Sequence, residues 1–331
     1  MKHSWFFLFL LCVLTACHGT GTTKVSATGS IYECLVVMPD YPYEMVQAVM
    51  EADMPCLPQM EPYFTLTHVT NKAFDDFLKS TRNILIVDID SIRYSSTKVK
   101  YSTDYWSHPQ AVYRIQAPDA ISFIAYWQAH GQQVREWFIE EELRRQTTFY
   151  RGSTNKQARQ ALRQTIGMDL LVPEDYMLIK DTTDFVWCCN NKGSMRRDLV
   201  VYSYPYTDKN TFTPAFLNRK RDEVLGHIIS ASVPGSYMGT EYKIFPPTFR
   251  FVQPLIKDTA DSTWMGAAEV RGLWKIYHGE AMGGPYVSLT RLDERHQRII
   301  TAEVYVLAPG QKKRNALRQA EAILYTAQWA K

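Results

Sequence analysis

Apolar and polar positions divide this chain into three regimes. A continuous apolar run covers Trp5 to Val13, after one basic residue, Lys2. Such a run is too short to cross a bilayer as a helix and has the form of a secretory signal, with small residues before the cut site. Residues 17–30 are small and polar with no apolar period, which predicts a flexible tether. From Ile31 onward apolar residues recur in runs of strand length and at helical spacing, so the folded body begins there.

The first half, residues 31–166, alternates strands and helices. Strands are predicted at Ile31–Met38, Tyr63–Thr70, Asn83–Asp90, Lys98–Thr103 and Gln110–Gln116. Pro42 can open a helix carrying Tyr43, Val46, Val49 and Met50 on one face. Asn71 is placed to cap a short helix bearing Phe74, Phe77 and Leu78. Asp119 begins a long helix with Ile124, Trp127, Val134 and Phe138 on one stripe, running to about Thr165. The second half, residues 167–331, opens with a strand at Met168–Val172. A hairpin follows, pairing Asp184–Asn190 with Asp198–Tyr204. Thr213-Pro214 is an N-cap with proline at the first helical position. Strands then follow near Lys243–Val252, Glu269–Tyr277, Pro285–Leu292 and Arg298–Leu307, and a last helix spans Lys312–Trp329. The expected fold is therefore α+β. Two halves, each with a mainly antiparallel sheet packed by helices, are joined by the long helix.

Cys17 changes the meaning of the leader. Leu14-Thr15-Ala16-Cys17 resembles a bacterial lipoprotein signal, which implies acylation of the Cys17 thiol and removal of residues 1–16. Each buried methylene contributes about 0.8 kcal/mol, so several acyl chains hold a protein stably on a membrane. His18 to Thr23 contain no acidic residue, which by the sorting rules of such lipoproteins points to the periplasmic face of the outer membrane. The mature chain keeps a net charge of +2, because Lys2 is the only charge lost from +3. That balance gives no general pull toward nucleic acid. The basic stretch from Arg144 to Arg163 reads as a solvated helix and connector rather than a nucleic-acid surface. Among the remaining cysteines, Cys34 and Cys56 are the one pair with loop-closing spacing; Cys188 and Cys189 are strand neighbours facing opposite sides.

Four stretches carry a resemblance over the folded body: Leu57-Pro58-Gln59-Met60-Glu61-Pro62; Gly167-Met168-Asp169-Leu170 with Val172-Pro173-Glu174-Asp175; Val201 to Tyr206; and Arg271-Gly272-Leu273-Trp274 with Met282-Gly283-Gly284-Pro285-Tyr286. On these the chain resembles a family of Gram-negative lipoproteins known as a domain of unknown function (DUF4837), which brings no catalytic residues with it. The second half is also similar, in element order, to the PsbP-type α/β/α sandwich. That layout implies a non-enzymatic accessory or ligand-binding module, by analogy of fold alone.

The sequence holds no H-E-x-x-H, G-x-S-x-G or G-x-x-x-x-G-K-[ST]. Ser95 to Lys98 and Ser153 to Lys156 match S-x-x-K without the companion motifs of a penicillin-binding enzyme, and His278-Gly279-Glu280 lacks the P-C-x-x-C partner of a zinc deaminase. No catalytic residue, metal ligand or cofactor is assigned. The candidate binding surface comprises Arg271, Trp274 and the loop Met282, Gly283, Gly284 and Tyr286, with Gln59 and Glu61 as a second patch between prolines. Arg271 and Trp274 share a face only if a bulge at Gly272 shifts the alternation. The expected role is a lipid-anchored envelope module that binds an envelope protein or small ligand. The alternative is an envelope hydrolase acting on a cell-wall or glycan substrate.

Overall fold

The computed structural model describes residues 24–229, 233–252 and 267–330. The signal segment, Cys17 and the start of the tether lie outside them. The first half contains β1 (Val25–Ser26), β2 (Glu33–Val37), α1 (Tyr43–Met50), β3 (Thr65–Val69), β4 (Asn83–Ile89), β5 (Lys98–Thr103), β6 (Ser107–His108), β7 (Ala111–Ala117) and α2 (Ala120–Gly152). The second contains α3 (Lys156–Ala161), β8 (Met168–Asp169), β9 (Met177–Thr182), β10 (Phe185–Lys192), β11 (Met195–Pro205), α4 (Pro214–Ile228), β12 (Tyr237–Glu241), β13 (Thr248–Val252), β14 (Ala267–Tyr277), β15 (Gly283–Asp293), β16 (Arg298–Leu307), α5 (Arg314–Leu324) and β17 (Gln328–Trp329). The fold is α+β with two sheet-bearing halves.

The sheet of the first half departs from expectation. Its order is β3-β2-β4-β7-β5, and only the β5–β7 pair is antiparallel; β2–β3, β2–β4 and β4–β7 are parallel. Parallel neighbours need a crossover, and α1 supplies one between β2 and β3. Strands covered on both faces read as unbroken apolar runs. In β4, Leu85 and Val87 enter the main core while Ile84 and Ile86 pack on the other face with Phe74, Leu78 and Trp106. Phe74 and Leu78 do not sit on an α-helix. Two short 3-10 turns, Asn71–Ala73 and Leu78–Ser80, carry this segment, which is too short to repay helix nucleation.

The second sheet is antiparallel, in the order β12-β14-β15-β16-β11-β10-β9, with β13 also paired to β14. One face meets α5; the other meets α4, which gives this half an α/β/α layering. The halves are not separate in their packing. A single core cluster runs from Val36 and Ile115 through Trp127 and Phe138 of α2 and Leu317 and Ile323 of α5 to Val201, Val287 and Val304.

The long helix starts as read: Asp119 is its N-cap and accepts the Ser122 amide at 2.8 Å. It ends earlier, at Gly152. Asn155 caps α3 through the Ala158 amide at 2.9 Å and donates to the carbonyl of Tyr176, so this cap and the poor helix formers Gly152, Ser153 and Thr154 before it split the predicted span. The predicted strand Lys243–Val252 is likewise broken into a loop and β13. Cys34 and Cys56 are both free and buried, not bonded to each other.

Candidate functional site

Strand alternation puts Glu269 and Arg271 on one face of β14, toward α5, while Val270 and Trp274 point to the α4 side. On α5, Arg318 and Glu321 are three residues apart and therefore neighbours. Facing each other, these elements form a buried ion network. Arg271 donates to both oxygens of Glu269 at 2.8 and 3.0 Å, and to Glu321 at 3.2 Å through Nη1 and again through Nη2. Arg318 Nη1 donates to both Glu321 oxygens at 3.0 and 3.3 Å. Arg250 of β13 reaches Glu269 at 2.7 Å, and the Tyr325 hydroxyl donates to the same carboxylate at 3.1 Å. Burial alone would raise the pKa of Glu269; the guanidiniums of Arg271 and Arg250 outweigh it and hold the carboxyl down at about 2.

This network floors a cleft of about 200 Å³ between the two halves. Tyr63, Met54 and Glu136 line it from the first half, and Thr248, Arg250, Arg271 and Arg318 from the second. Arg135 stacks 4.1 Å over Tyr63, and Arg318 lies 5.7 Å over Tyr32 and 5.8 Å over Tyr63. Chemically the site is a clamp. Arg250, Arg271 and Arg318 hold Glu269 and Glu321, Glu136 is paired with Arg135 at 3.4 Å, and the oxygens of Glu269 are taken by arginine and tyrosine donors. Among the described residues no group of three or more His, Cys, Asp or Glu is placed to hold a metal ion.

The surface expected from Arg271, Trp274 and Met282–Tyr286 does not assemble. β14 and β15 pair without a register shift from Ala268–Thr290 to Lys275–Gly283, so Gly272 is no bulge. Arg271 and Trp274 therefore face opposite sides, and both are buried. Gly272 instead leaves room for the Tyr286 ring, whose atoms would lie 2.7–2.8 Å from an added Cβ. Tyr286 is fully buried, and its ring lies 3.9 Å beneath Arg221 of α4, which is paired with Glu303 at 2.7 Å. Gly283 and Gly284 belong to β15, not a loop. A Cβ on Gly284 would stand 2.0 Å from the carbonyl oxygen of Val306. Met282 is half-buried against the α4-side core.

Gln59 and Glu61 are brought to α5. Glu61 is buried and accepts the amides of Lys313 at 2.6 Å and Arg314 at 3.0 Å; Gln59 donates to the Gln311 carbonyl at 3.1 Å. A carboxylate from one half thus caps a helix of the other. Sequence reasoning missed Glu269, Arg250, Arg318 and Glu321. The signal available was the pairing itself: Glu-x-Arg on one strand face and Arg-x-x-Glu on one helix face.

Residues 27–151 match a family model described as Domain of unknown function (DUF8532). Residues 155–326 match a second model, so the motif at Leu57–Pro62 falls outside the DUF4837 match. No curated protein matches the chain. Among solved structures, the Saccharomyces cerevisiae Ran-binding protein Mog1p is 10% identical, with a TM-score of 0.30, covering 50% of this chain and 90% of that one. A protein from Bacteroides thetaiotaomicron is 10% identical at a TM-score of 0.26, covering 50% and 46%. The human StarD13 lipid transfer and protein localization domain is 8% identical at a TM-score of 0.22, covering 46% and 89%. Likeness at this level says nothing of role. The match over residues 155–326 takes in just over half of the chain, which therefore belongs to the family described as Domain of unknown function (DUF4837).

Proposed function

We propose that this chain is an envelope lipoprotein, acylated at Cys17 and held on the periplasmic face of the outer membrane, that acts by binding a protein or small ligand rather than by catalysis. The Leu-Thr-Ala-Cys box supports the anchor. The state of Glu269 carries the binding reading. It is the deepest carboxylate lining the cleft, and a carboxyl held at about 2 by two guanidiniums has no proton to give at neutral pH. Its oxygens are engaged, so it is equally unsuited to attack a substrate. A hydrolase working here would be left with Glu136 alone. The α/β/α layering of the second half agrees with an accessory module of PsbP-like layout, by analogy of layout only.

The test has two arms. Labelled fatty acid should enter the wild type and not Cys17→Ser; equal labelling of both ends the anchor reading. The full-length protein should leave cell-wall and glycan polymers intact. Turnover that is abolished by Glu136→Gln would replace binding with hydrolysis.

A further inference from the structure

β12 and β13 are two pieces of one edge strand, both antiparallel to β14. Glu241 stands opposite Leu273 and Thr248 opposite Arg271, so the edge advances seven residues against two of its partner. The surplus is looped out as Tyr242-Lys243-Ile244-Phe245-Pro246-Pro247. Ile92, Ile121 and Phe149 stand singly, and Val99, Tyr101 and Tyr105 form a smaller group on and just after β5. At the looped edge Tyr242, Ile244, Phe245 and Phe251 fall within ten residues, with Ile244 66% exposed and Phe251 65%. Single exposed apolar residues need no explanation, but a contiguous patch marks a contact.

The base of the loop is fixed. The buried Glu241 carboxylate is paired with Lys275 and accepts the amides of Lys243 and Ile244, and the Tyr242 hydroxyl donates to Asp222 at 3.0 Å. Two prolines stiffen the far side, which lowers the entropy lost on docking. Lys243 is exposed, and residues 242–252 contain no acid. Aromatic and aliphatic side chains beside Lys243, with Arg250 already paired to Glu269, match the chemistry of a bilayer interface with anionic headgroups.

The leash also favours a membrane. Val25 is already hydrogen-bonded into β1–β6 and Thr28 is bridged to Thr81, so the body begins well before residue 30. From Cys17 to Lys24 the chain spans at most about 25 Å in any conformation. Next to that bridge, Arg82 holds Glu142 of α2, and Arg250 lines the cleft with Glu136 of the same helix, six residues earlier. The start of the body and β13, which carries the far end of the looped edge, therefore both meet the stretch of α2 from Glu136 to Glu142.

We propose that residues 242–251 form a membrane-contact tip, with Ile244 and Phe245 entering the interface of an anionic bilayer. This rests on the lipid-anchor reading but is tested apart from it. Full-length protein carrying Ile244→Cys, labelled with an environment-sensitive fluorophore, would be bound to vesicles of phosphatidylethanolamine and phosphatidylglycerol doped with nitroxide lipid. A blue shift and quenching are expected at position 244 and not in the Ile92→Cys control. No quenching at 244, or equal quenching at both positions, would overturn the proposal. A second measurement uses Cys17→Ser protein, which lacks the acyl chain. Adding Ile244→Ser and Phe245→Ser should weaken its vesicle binding about tenfold or more without moving its thermal midpoint, and unchanged vesicle binding would count against the tip. Loss of fatty-acid label alone leaves the quenching result standing and removes only the anchor.

Discussion

Arg271 ties a carboxylate of its own strand to one on a facing helix. Its guanidinium serves Glu269 and Glu321 together, and its side chain is almost wholly buried. Removing one member of a buried ion network leaves uncompensated charge, which costs far more than the network contributes over an apolar replacement. Arg271→Met is expected to lower stability by about 3–5 kcal/mol. Urea unfolding followed by circular dichroism would measure it, and adding Glu321→Gln should recover part of the loss. A cost below about 1 kcal/mol, the range of exposed pairs, would mean that the network is effectively solvated.

Helix α5 shows how an element can depend on residues far away in sequence. It has no side-chain cap of its own: Lys313 occupies the N-cap position without such a bond. Glu61, more than 250 positions earlier, supplies the acceptor for two free amides. Glu61→Ala should therefore cost about 1–2 kcal/mol, while Gln59→Ala, which loses an exposed bond to the Gln311 carbonyl and a long one to Glu61, should cost less. Equal small losses in both variants would show that water caps the helix as well. The loss at Glu61 should also appear as faster amide exchange at Arg314 to Leu317, the first turn of α5. The prolines around Glu61 were visible in the sequence, and so was the carboxylate. Its target was not, because capping across this distance leaves no local pattern.

The molecule as a whole should unfold in one step, since the core cluster passes from one sheet through α2 and α5 to the other. Its acid limit follows from the paired carboxylates. Burial would raise the pKa of Glu142, but Arg145, Arg82 and Asn83 hold it below the usual range, and Glu269 sits at about 2. Such groups bind protons more readily in the unfolded chain. Their contribution is complete above the ordinary carboxylate pKa of about 4.5 and is lost as pH falls toward about 2. The unfolding free energy from urea titration should be level from neutral pH to about 5 and fall below that, by about a few kcal/mol in total. A flat profile down to pH 2 would refute the assignment.

What the sequence determined by itself was local. Asp119 and the Thr213-Pro214 pair start helices where they were read, and Arg298–Leu307 is a strand to the residue, because capping and alternation act over a few positions. Alternation also separated Arg271 from Trp274 before any partner was known. Tertiary structure decided what lay over each face. Glu269, Arg271, Arg318 and Glu321 look like solvent-facing residues along the chain and become interior only because β14 and α5 are laid against each other. The same holds for strand direction in the first half. An apolar run fixes that both faces are covered, but which way its neighbour runs depends on the path of the intervening chain, here a crossover through α1.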